Sequence, residues 1–210
     1  GKYSYHFQDH FRKNSTSGSK KKKHLRRCSR IDGLSHYMAA FDEKNEVPEF
    51  EARQKILFNN KEFGSSFKKI KRANRKFSCY DISHYNNCYW RRLGYRERIF
   101  NTGVTSVYHF LDNVYFFGEF FFSDVRKLDL PVIARTLIQK YTGREEQVAE
   151  NFKITGDAAF IFFHNNGINL SIKYIYTGDE NINRKIKSIP LKSIEYSGKD
   201  MPEFRPDNSL

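Results

Sequence analysis

The sequence holds none of the local motifs that announce a reaction. A Gly-rich phosphate loop, a G-x-S-x-G elbow and an H-E-x-x-H helix are all missing, so P-loop, α/β-hydrolase and zincin chemistry have no foothold. No cofactor is expected. No apolar run approaches the roughly 20 residues that a membrane-spanning helix needs. Cysteine is scarce, with only Cys28, Cys79 and Cys88. The C-x2-C pairs of structural zinc sites are absent, and Cys79-x4-His84-x3-Cys88 supplies three candidate ligands without a fourth, so no metal is expected. Cys79 and Cys88 could pair in an oxidising compartment. Three free thiols in a reducing one fit the spacing equally well. Staples are not required in any case, because 210 residues can bury a substantial core.

Acidic residues are nearly missing from one end. Residues 1–30 carry ten Lys and Arg and a single acid, Asp9, a net charge of +9 out of +13 for the chain. The remaining 180 residues are close to ordinary at +4. The stretch RKNSTSGSKKKKHLRRCSR (12–30) reads as a solvated basic arm, able to meet nucleic acid, anionic lipid or a localisation receptor. Gly1 stands where a start methionine would, as in a processed or engineered chain, which leaves room for a removed signal peptide.

What the chain has in abundance is aromatic residues, 20 Phe and 13 Tyr. They concentrate in VTSVYHFLDNVYFFGEFFFSDV (104–125), two apolar runs around Asp112-Asn113, a pair that tolerates positive φ. In the second run Val114, Phe116, Gly118, Phe120 and Phe122 share one face, while Tyr115, Phe117, Glu119 and Phe121 share the other. Rings on both faces predict a central strand in a covered sheet. Before it, Phe63-Gly64-Ser65-Ser66 opens a helix over 65–76, with Ser65 as candidate N-cap. Phe63, Phe67, Ile70, Ala73 or Asn74, and Phe77 line one face, and Lys68, Lys69, Lys71, Arg72, Arg75 and Lys76 the rest. Strands are expected near 77–82, 89–100, 104–111 and 114–122, with Asn101-Thr102-Gly103 as a turn.

A second helix is expected from Asp129, its cap, through Pro131 to Gly143, its stop, with Val132, Ile133, Leu137, Ile138 and Tyr141 buried. Runs 158–163 and 168–176 around Asn165-Asn166-Gly167 form a second hairpin. A short helix over 33–41, an acidic turn around Pro48, a strand at 55–58 and an Asn59-Asn60 turn complete the forward part. Beyond Gly178 the chain turns polar; Ile186, Ile189, Leu191 and Ile194 suggest an edge strand, and 199–210 a loose tail. The fold class is thus α+β, an antiparallel sheet meander with two main helices packed on it, in one domain over 31–198. Helix-then-strands occurs twice, so two halves, 55–111 and 112–198, are a further possibility.

Candidate binding residues are the cations of the first main helix, Lys68, Lys69, Arg72, Arg75 and Lys76, and the sheet aromatics Phe117 and Phe121. No catalytic set stands out. His109 and His164 each sit in an apolar strand, where a lone histidine is usually a hydrogen-bonded structural residue. If they met across the sheet they could serve as the acid and base of a metal-free ribonuclease.

The run FNNKEFGSSFKKIKRAN (58–74) followed by alternating strands resembles the layout of small bacterial envelope lipoproteins of the BamE/SmpA type, and is similar to β-lactamase-inhibitor-protein modules. Phe63-Gly64, the helix over 65–76 and the strands through Phe122 carry the resemblance, about a third of the chain. FHNNGINLSIKYIY after LIQKYTG looks like the closing half of many secreted bacterial proteins. The basic arm and long C-terminal part are additions to the lipoprotein layout. The resemblance implies a non-enzymatic module of the periplasm, outer membrane or secreted space that binds a protein partner. The alternative is a cytoplasmic nucleic-acid-binding protein or ribonuclease using the basic helix and arm.

Overall fold

A computed structural model describes residues 33–41, 47–74, 76–85, 88–99, 101–146 and 150–189. The basic arm, Cys28, Leu191, Ile194 and the expected C-terminal tail lie outside the described residues. The elements in chain order are α1 (Gly33–Met38), β1 (Glu49–Glu51), α2 (Phe67–Ala73), β2 (Cys79–Tyr85), β3 (Cys88–Ile99), β4 (Thr102–Leu111), β5 (Val114–Phe122), α3 (Leu130–Thr142), β6 (Phe152–Thr155), β7 (Ala159–Asn165), β8 (Leu170–Tyr176) and α4 (Glu180–Lys187).

The strands form one eight-stranded sheet in the order β1-β6-β7-β8-β5-β4-β3-β2. The α+β class holds, but the sheet is mixed rather than purely antiparallel, because β1 runs parallel to β6. β5 lies between β4 and β8, the interior position that its two aromatic faces predict. Asp112 and Asn113 adopt φ of 47° and 75° and close the β4–β5 hairpin in two residues. Their short polar side chains tolerate this left-handed backbone. The β3–β4 connection is tighter than expected. Ile99 pairs with Thr102, so Thr102 and Gly103 belong to the strand.

Among the described residues four helices cover the sheet, the two main ones, the short one expected over 33–41 and α4, and they divide between its faces. On the first face lie α2, α3 and the segment from Phe50 to Phe58, over Leu93, Tyr95, Tyr108, Tyr115, Phe120 and Tyr174. α3 is built as its sequence dictates. Asp129 accepts from the Val132 amide at 3.1 Å, and Gly143 ends the helix at φ 69°. Its buried stripe is Ile133, Ala134, Leu137, Ile138 and Tyr141, while Val132 is exposed. The cap of α2 is Ser66 rather than Ser65, its hydroxyl accepting from the Lys69 amide at 3.3 Å.

The second face is covered by α1 and α4. The expected edge strand at the C-terminal end is replaced by α4. Asp179 caps it, accepting from the Asn181 and Ile182 amides, and Ile182, Ile186 and Ile189 give a buried stripe at helical spacing. The other departure is β1, which pairs beside β6 where a plain turn is expected. Residues 55–58 form no regular strand, only a bridge between Phe58 and Lys61.

Candidate functional site

A glycine in the middle of the sheet shapes a surface of mixed chemistry. Gly118 lies opposite Tyr108 on one side and Tyr174 on the other. With no side chain of its own, it leaves a hollow that the Phe58 ring fills. Phe58 is fully buried, with ring centroids 4.9 Å from Tyr108, 4.6 Å from Phe120 and 5.2 Å from Tyr174. The chain then reverses at Asn59 and Asn60, both left-handed at φ 47° and 57°, and the Lys61 amide donates to the Phe58 carbonyl at 2.9 Å. On its other flank the segment is held to α3, where the Tyr141 hydroxyl donates to the Leu57 carbonyl at 3.0 Å.

This turn lies between the C-terminal ends of α2 and α3, and beside it is a cavity of about 390 Å³. Leu57, Tyr108, Phe120 and Tyr174 belong to its lining, the last three almost wholly buried against Phe58. Its walls are the amides Asn59, Asn60 and Asn74, the carboxyl of Glu97, and the side chains of Lys61 and Lys140. Asn74 is the C-cap of α2, positioned by the Tyr95 hydroxyl, which donates to its carbonyl at 3.3 Å. The side chain of Asn59 bonds the Tyr108 hydroxyl, which burial pushes well above the usual phenol range.

Glu97 is the anchor of the wall. Its Oε1 accepts from the Ser106 hydroxyl at 2.7 Å, while Oε2 is buried with no hydrogen-bond partner. Burial raises its pKa from 4.5, offset in part by the Ser106 bond. Burial acts on Lys140 in the opposite sense and lowers it from 10.5. Both groups are drawn toward their neutral forms, as expected where low dielectric penalises charge. An acid with a raised folded pKa holds its proton more tightly folded than unfolded. Its effect on stability is therefore most favourable below the usual carboxyl range and declines as pH rises through the raised value. Glu97→Gln is expected to be at least as stable as the parent at neutral pH, with the difference closing in acid. Urea melts at several pH values check this.

The sequence-predicted residues fall elsewhere. Lys68, Lys69, Arg72 and Lys76 are exposed on or just beyond α2, and the Arg75 side chain lies outside the described residues. Several cations elsewhere are paired, as in Lys55–Glu62, Arg92–Asp81, Arg126–Asp124 and Lys185–Asp112. Lys68, Lys69, Arg72 and Lys76 form no ion pair among the described residues. Arg91 adjoins them, its guanidinium 5.0 Å from the Phe67 ring and 4.6 Å from the Tyr89 ring.

Phe117 is completely buried, stacked on His109 at 4.1 Å and edge-on to Tyr37 of α1 at 5.8 Å, so it belongs to the core. Phe121 is half-buried. His109 is also fully buried, its Nδ1 accepting from the Trp90 indole at 3.0 Å. His109 and His164 do not meet. They sit on β4 and β7 with β5 and β8 between, three strand spacings or roughly 14 Å apart. Cys79 is disulfide-bonded and Cys88 is free, so the two are not joined to each other. No cluster of three or more metal-ligating side chains occurs among the described residues.

Glu97 was legible by parity. In WRRLGYRERIF it falls on the same side as Leu93, Tyr95 and Ile99, and so points to the core. Nothing comparable flags Asn59, Asn60, Asn74 or Lys140, which converge from separate segments. Compared with known proteins, the chain matches no family model, no curated sequence and no solved structure.

Proposed function

We propose that the protein is a non-enzymatic binding module of the bacterial envelope or secreted space, and that its site is the cavity beside the Asn59-Asn60 turn. The observation that carries this reading is the cavity itself, whose lining brings Lys61, Lys140, Glu97 and three asparagines together with Leu57 from separate segments of the chain. The mixed polar and aromatic lining fits a small-molecule site, in which a few polar groups orient a ligand. The disulfide at Cys79 supports an oxidising compartment, since such bonds are rare in a reducing cytosol. The layout resemblance to envelope modules agrees with it.

The test uses ligand-observed NMR on the full chain with a panel of free sugars, amino acids and nucleosides. Lys140→Trp places a bulky ring at the cavity wall on an otherwise intact helix. At least one class is expected to bind the parent, to be lost in Lys140→Trp, and to be recovered chemically unchanged. Binding that survives in a folded Lys140→Trp protein, or conversion of the ligand, contradicts the proposal.

The unpaired cations of α2 favour a second reading, an acidic partner docked on Lys68, Lys69, Arg72 and Arg91. A protein partner suits the oxidising compartment better than nucleic acid does, although a phosphate backbone would meet the same charges.

A further inference from the structure

We infer that the side of the molecule carrying α2 and α3 docks on an anionic lipid surface. This rests on the acidic-partner reading of the α2 cations, names the partner, and is independent of the cavity. Charge is divided unevenly between the two layers that cover the sheet. Residues 52–74 and α3 with its cap Asp129 hold nine Lys and Arg against two acids, Glu62 and Asp129. The opposite layer, α1 and α4 with its cap Asp179, holds three against two. Arg53, Lys68, Lys69, Arg72 and Arg135 are exposed and form no ion pair among the described residues. The two acids of their layer are already engaged, Glu62 with Lys55 at 2.8 Å and Asp129 with the Val132 amide at 3.1 Å.

Breadth and composition select the partner. The cations come from three stretches laid over one face of the sheet, so they spread across a side of the molecule instead of following one groove. Lysine is depleted in protein–protein interfaces, whose energy rests on buried rings and arginine. A nucleic-acid strand uses exposed rings to stack its bases, yet here the Arg91 guanidinium lies 5.0 Å from the Phe67 ring and 4.6 Å from the Tyr89 ring, and Phe63 is stacked on Tyr115 and Tyr176. Lipid headgroups ask for point charges on flexible stems, which lysine supplies. Each cation near such a surface adds about fivefold to the affinity. Val132, 39% exposed and one turn before Arg135, sets an apolar side chain among these charges.

The test is co-sedimentation of the full chain with phosphatidylcholine vesicles made with and without phosphatidylglycerol. Binding is expected only with phosphatidylglycerol, and is expected to fall away at about 1 M salt, where the Debye length shrinks to about 3 Å. Two variants each remove two exposed charges, Lys68→Gln with Arg72→Gln on α2 and Arg184→Gln with Lys187→Gln on α4. The basic stretch 12–30 is the same in both, so a difference between them reports on the two faces. The α2 pair is expected to weaken binding by about tenfold or more, and the α4 pair by less than about twofold. Equal losses from the two pairs, no loss from the α2 pair, or equal binding to phosphatidylcholine alone overturns the inference. Polyglutamate and oligothymidylate serve as comparators. If vesicles are silent while either polymer binds and the α2 pair weakens it, the lipid inference falls and the acidic-partner reading stands. If vesicles are silent and neither polymer binds through the α2 pair, both fall and the cavity reading is untouched.

Discussion

Phe58→Ala is expected to lower the unfolding free energy by about 3–5 kcal/mol, the range for truncating a fully buried aromatic. At this chain length, that corresponds to a midpoint fall of roughly 6–20 °C. Phe58 fills the hollow over Gly118 together with the Tyr115 hydroxyl, and its ring touches three strands through Tyr108, Phe120 and Tyr174. The loss is a void as well as lost transfer energy, because the surrounding rings are fixed by a close-packed sheet. Phe58 also anchors the Asn59-Asn60 turn. A folded Phe58→Ala protein should therefore lose ligand affinity too, without any change in the cavity's own polar groups. Thermal and urea unfolding followed by circular dichroism measure the first effect.

Gly118→Ala is expected to destabilise by about 1–3 kcal/mol through overpacking. In a strand interior alanine ordinarily outperforms glycine by roughly 0.5–1 kcal/mol, so a loss identifies a steric cause. A Cβ at Gly118 would stand 2.5 Å from Phe58 Cδ1 and 2.6 Å from the Tyr115 hydroxyl. Neither can retreat cheaply. Phe58 is held at both ends of its segment, and the Tyr115 hydroxyl is buried with no hydrogen-bond partner. The two substitutions share one space, so they should not add. The double variant is expected to be more stable than the sum of the singles implies, by on the order of 1 kcal/mol, as the new methyl enters the void that Phe58 leaves. Simple additivity in a double-mutant cycle would show that the two residues do not meet.

Local chemistry made much of the fold readable. Asp112-Asn113 set the hairpin, Asp129 and Gly143 bounded α3, and the two-faced aromatic pattern placed β5 inside the sheet. The elements that escaped are β1, β6 and α4. β1 is three residues long and owes its strand geometry to pairing with β6, a contact more than a hundred residues away. α4 carried a legible signal in Asp179 followed by Ile182, Ile186 and Ile189. The polar composition around these residues and the prolines beyond masked it.

The cavity was harder to foresee for a different reason. Its residues come from a turn, a helix cap, four strands and the last turn of another helix, and no window of sequence contains more than a few of them. Gly118 and Phe58 could each be seen, but not that one fills the space the other leaves. The cationic helix, by contrast, was conspicuous because its charges lie close together in sequence.

Backbone amide shift mapping of the isotope-labelled chain, titrated with whichever of the free sugars, amino acids and nucleosides binds best, tests the central claim most directly. The account predicts perturbations confined to Asn59, Asn60, Lys61, Asn74, Glu97 and Lys140 and their immediate neighbours. Perturbations centred on Lys68, Lys69 and Arg72, or on the α1–α4 face of the sheet, would contradict it.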